Sequence, residues 1–70
     1  MWCIVLSIHL EDRPLQVLLY NQINSEEEAT ALVDSIFGNA LGKWESDPNF
    51  AGSFARIGKC DVIVYPYKEV

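Results

Sequence analysis

SEEEATALVDSIFGNALGKW, residues 25–44, decides the fold of this chain. Within it Ala29, Leu32, Val33, Ile36, Phe37, Ala40, Leu41 and Trp44 keep the i, i+3, i+4 spacing that lines apolar side chains along one side of an α-helix. Ser25-Glu26-Glu27-Glu28, just ahead of the stripe, has the S-x-x-E form of a capping box. Its hydroxyl and carboxylate can satisfy backbone N–H groups that have no partner in the first turn, and its acidic run complements the positive end of the helix dipole. Gly38 and Gly42 lie off the stripe, and each costs up to about 1 kcal/mol relative to Ala inside a helix. Because the stripe continues unbroken to Trp44, it predicts a helix reaching that residue, in preference to one capped by Gly38.

Strand-like blocks flank the helix on both sides. Residues 2–10 set Trp2, Ile4, Leu6, Ile8 and Leu10 on one parity against Cys3, Val5, Ser7 and His9 on the other, so one face is wholly apolar and the second is mixed. Glu11-Asp12-Arg13-Pro14 is a polar break of hairpin length, and residues 15–22 then alternate Leu15, Val17 and Leu19 against Gln16, Leu18, Tyr20 and Gln22. These two strands are expected to pair antiparallel. Residues 45–52 concentrate Ser46, Asp47, Pro48, Asn49 and Gly52 and read as a loop. Beyond it, residues 53–57 and 60–65 are either two strands turning at Gly58-Lys59 or one long strand bulged at Gly58. Pro66 ends the last strand, and residues 67–70 read as a short tail.

The expected fold class is α+β: a two-layer domain with a small antiparallel or mixed sheet of three or four strands and one amphipathic helix packed on one face. Its order is β-β-α-β or β-β-α-β-β. Seventy residues leave room for one domain. Half of them are apolar, which argues against disorder.

Charge and cysteine usage narrow the function classes. The net charge is −5, and the basic residues Arg13, Lys43, Arg56, Lys59 and Lys68 are scattered, so nucleic acid is not an expected partner. No apolar run approaches the roughly 20 residues that span a bilayer. The N-terminus has no basic n-region, and His9, Glu11 and Asp12 stand where a small-residue cleavage site would fall; the expectation is a cytoplasmic protein. Cys3 and Cys60 form no C-x-x-C spacing and are expected to be reduced, bridging only if the first and last strands are neighbours with Cα atoms within about 7 Å.

Little in the sequence points to catalysis. His9 is the one histidine, and Glu11 on the same parity supplies half a metal site without a third ligand. Gly38, Gly42, Gly52 and Gly58 build neither a P-loop nor a dinucleotide fingerprint. The chain is therefore expected to have no cofactor, no metal, no catalytic residues and no enzymatic activity.

What the helix leaves uncovered carries the functional expectation. With the stripe set against Trp2, Ile4, Leu6, Ile8, Leu15, Val17 and Leu19, the other sheet face presents Cys3, Val5, Leu18 and Tyr20, together with either Val62 and Val64 or Ile63 and Tyr65. Tyr65-Pro66-Tyr67 adds rigid aromatics of the kind enriched in contact surfaces. Val5, Leu18, Tyr20, Tyr65 and Tyr67 are thus the candidate partner or dimer surface. The expected function is a small acidic protein-protein interaction module, an inhibitor or adaptor of a larger protein such as viruses and phages encode on short chains. The alternatives are a homodimeric structural or regulatory subunit and a nucleic-acid mimic or nucleic-acid-related regulator.

Overall fold

A computed structural model of the chain describes residues 1–67; the predicted tail past Tyr67 lies outside the described residues. The elements are β1 (Trp2–His9), β2 (Pro14–Ile23), α1 (Glu26–Phe37), β3 (Ser53–Ile57) and β4 (Cys60–Pro66), with a 3₁₀ turn over Gly38–Ala40. The strands form one four-stranded sheet in the order β2-β1-β4-β3, antiparallel throughout. This is the expected two-layer α+β architecture in its β-β-α-β-β form. Gly58, at φ +59°, occupies the left-handed region that the tight β3–β4 turn requires.

The helix begins as its sequence demands. Ser25 is extended, and its Oγ accepts a hydrogen bond from the Glu28 N–H at 3.2 Å. Its end differs from the expectation: α1 stops at Phe37, and Gly38 at φ +55° turns the chain while its N–H donates to the Asp34 carbonyl. The stripe misled because Leu41 and Trp44 pack against the same core from non-helical backbone. Trp44 is also tied back to the helix through its indole N–H, which donates to Asp34 Oδ1 at 3.2 Å.

Ile4, Ala29, Val33, Val62 and Val64 form the buried centre, with Trp2, Leu6, Leu19, Ile23, Leu32 and Phe37 packed around it. Val62 and Val64 therefore face the helix. Ala29 on α1 and Ala55 on β3 are fully buried.

The helix does not cover all of its face. Leu15 and Val17, in register with Ile8 and Leu6 on the helix side of the sheet, remain 47% and 39% exposed. The expectation that α1 buries both of these residues is overturned, because the helix reaches only part of this outermost strand. Ile36, a member of the stripe, is exposed as well.

Two register shifts in the β1–β2 pairing add further irregularity. Val5 pairs with Leu18, Ile4 with Tyr20 and Trp2 with Ile23, so β2 carries an extra residue in each interval. Gln22, at φ +58°, lies in the second of these intervals.

At Gly52 a Cβ would overlap the Val64 carbonyl oxygen. Gly52→Ala is expected to cost about 1–3 kcal/mol through this clash, and Ser25→Ala about 1 kcal/mol through the lost cap. Urea denaturation of the two variants against the parent chain checks both values and their order.

Candidate functional site

The sheet face away from the helix is built from cross-strand rows, because residues directly opposite in an antiparallel register share a face. Leu18, Val5, Ile63 and Phe54 form one row across all the strands. Gln16, Ser7, Asp61 and Arg56 form the next. Cys3 and Tyr65 pair on the far side of the apolar row. The face is thus apolar and aromatic at one end and polar at the other. Ile63 and Tyr65, not Val62 and Val64, supply its β4 residues.

The predicted surface residues meet different fates. Leu18 stands clear at 56% exposure, whereas Val5 is only 6% exposed and floors the face beneath its neighbours. Tyr20 leaves the set: the extra residue in β2 brings it opposite Ile4, which points to the helix, so Tyr20 and Leu18 lie on opposite faces. Tyr65 and Tyr67 are both half-buried on the open side. Tyr67 is anchored twice, its N–H donating to the Met1 carbonyl at 2.8 Å and its Oη accepting from the Gln22 N–H at 2.6 Å.

Two shallow hollows flank the apolar row. Cys3, Leu18, Asn21, Tyr65 and Tyr67 line one of about 210 Å³. Asp47, Phe50, Phe54, Asp61 and Ile63 line another of about 220 Å³, where the Phe50 and Phe54 rings meet edge to face with centroids 6.4 Å apart. Phe50, Phe54 and Asn21 escaped the sequence reading. The β3 parity that matches Phe54 to Ile63 follows only from strand order, and Phe50 reaches the face from a loop.

At the polar end, His9 Nε2 and Asp61 Oδ2 lie 2.6 Å apart, with Arg56 Nε 3.9 Å from the other carboxylate oxygen. Asp61, not Glu11, is the partner of His9. No group of three or more metal-ligating side chains occurs among the described residues. Cys3 and Cys60 are both free; the β1–β4 pairing places Cys3 opposite Tyr65 on the open face and Cys60 opposite Ile8 on the helix side. No described helix is long and apolar enough to cross a membrane. No protein-family model, curated protein or solved structure gives a significant match to this chain.

The Cys3 thiol lies within 3.6 Å of the Tyr65 carbonyl oxygen. Hydrogen bonding to Cys3, then burial, then electrostatic repulsion from Cys3 push the Tyr65 phenol above the usual tyrosine range. Cys3→Ala is expected to bring the Tyr65 titration down toward the ordinary value. Tyrosinate absorbance followed against pH, with Tyr65→Phe to assign the signal, checks the direction.

Proposed function

We propose that the protein acts by binding a partner protein on the open sheet face, as a cytoplasmic inhibitor or adaptor with no catalysis of its own. The observation that carries this reading is the row of Leu18, Ile63 and Phe54 over the Val5 floor, with an apolar hollow at each end. A face of this kind, edged by a polar row, has the anatomy of an interaction surface: an apolar centre that excludes water and a rim that fixes orientation. The free thiols suit a reducing compartment.

The hollows also suggest the chemistry of the partner. Asp47 and Asp61 border the Phe50, Phe54 and Ile63 hollow, and the chain carries a net charge of −5. A partner presenting apolar side chains with basic residues beside them complements both features.

Immobilised protein, challenged with extract from the native cell, tests the reading when parent and Tyr65→Glu chains are compared. The parent is expected to retain a defined partner in a fixed ratio, and Tyr65→Glu to weaken that binding by roughly 30-fold or more, as for a hot-spot tyrosine beside the apolar row. Unchanged circular dichroism of the variant shows that the fold persists. Equal binding by both chains removes the open face as the site.

A further inference from the structure

The two edges of the sheet are finished differently. On the β3 side the chain covers its own edge: the Gly42 N–H donates to the Arg56 carbonyl at 2.7 Å, and Glu45 and Phe54 exchange N–H to carbonyl hydrogen bonds at 2.8 and 3.0 Å. Strand β2 forms the opposite edge and, among the described residues, pairs on one side only. Its sequence, PLQVLLYNQI, contains no charged residue. Leu15, Val17 and Leu18 are exposed along it.

Hydrogen-bond alternation shows which main-chain groups are left open. The Leu10 N–H donates to the Arg13 carbonyl at the hairpin turn, so the even-numbered residues of β1 address β2. By the register, Leu15 and Val17 return those bonds, while Pro14, Gln16 and Leu18 direct their main-chain groups outward. Pro14 fits such a position because it has no N–H to leave unpaired. Natural edges are commonly blunted by charges and bulges. Here no charge is present, and the bulges begin only after Leu18.

We propose that β2 pairs antiparallel with β2 of a second copy about a two-fold axis at Val17, joining the two sheets into one. In this register Gln16 and Leu18 of each chain exchange hydrogen bonds with Leu18 and Gln16 of the other, so both outward N–H groups find acceptors. Val17 meets Val17 of the second copy at the axis, which puts apolar surface against apolar surface where the helix falls short. Three features fit a second copy as the occupant. The strand offers equal numbers of outward donors and acceptors around Val17. Its lack of charge spares the seam the repulsion expected between chains that each carry −5. The β3 edge is closed by residues 41–45, so pairing stops at a dimer and does not run on into a fibre. The seam uses the main-chain groups of Gln16 and Leu18, whereas the face proposed to bind a partner protein uses the Leu18 side chain and residues of β1, β3 and β4.

Sedimentation velocity over rising concentration is the first test, with a dimer expected to appear well below about 1 mM. Val17→Lys and Val17→Asp alone are each expected to weaken dimerisation roughly tenfold or more, and an equimolar mixture to restore it, since opposite charges then face each other at the axis. Amide exchange of the parent supplies a readout that needs no variant: Gln16 and Leu18 should become more protected as concentration rises. A chain that stays monomeric up to about 1 mM overturns the proposal. So does a dimer that survives Val17→Lys, a mixture of folded variants that fails to associate, or a dimer without added protection at Gln16 and Leu18. Tyr65→Glu should leave the dimer intact, which separates failure of the seam from failure of the face.

Discussion

Strand β1 must be paired along both of its edges and covered on both of its faces, and the rest of the fold follows from that demand. With β2 on one side and β4 on the other, its main-chain groups are satisfied along its length. Its side chains then serve two layers. Ile4 is at the centre of the helix-side core, while Cys3, Val5 and Ser7 are buried on the opposite side beneath side chains of the neighbouring strands. A strand so placed needs apolar residues on both parities, and the run from Trp2 to Leu6 provides them.

That same two-sided burial limits what the sequence could reveal. The helix start was legible because Ser25 and the acidic run after it are chemically specific signals. Its end was not, since Leu41 and Trp44 satisfy the helical spacing while packing from an irregular segment. In β4, apolar residues on both parities left open whether Val62 and Val64 or Ile63 and Tyr65 face the helix; only the register with Ile4 and Val5 resolves it. Tyr20 shows the sharpest loss of information. Strict alternation groups it with Leu18, and the extra residue between them has no glycine or proline to announce it. Of the candidate surface residues Val5, Leu18, Tyr20, Tyr65 and Tyr67, only Leu18, Tyr65 and Tyr67 line one hollow of the open face, with Cys3 and Asn21.

The open face is organised by contrast between adjacent rows. Leu18, Val5, Ile63 and Phe54 lie beside Gln16, Ser7, Asp61 and Arg56, so a sharp boundary between apolar and polar surface crosses every strand. Such a boundary gives a docked surface a direction as well as an area. Asp61 holds the polar side in place through His9 and Arg56, an exposed arrangement that contributes little to stability and more to the orientation of charge.

The pairing of Trp2 with Pro66 joins nearly the whole length of the described chain into one contact. During synthesis, β1 and β2 are made before β4, and the apolar side chains of β1 wait for it. A hairpin formed early is therefore an incomplete structure with one edge of its central strand unpaired. Closing a contact of such sequence separation costs chain entropy before it returns any burial, which slows the final step relative to a helical domain of equal size. Until β4 pairs, an open edge of β1 and its apolar side chains are available for aggregation.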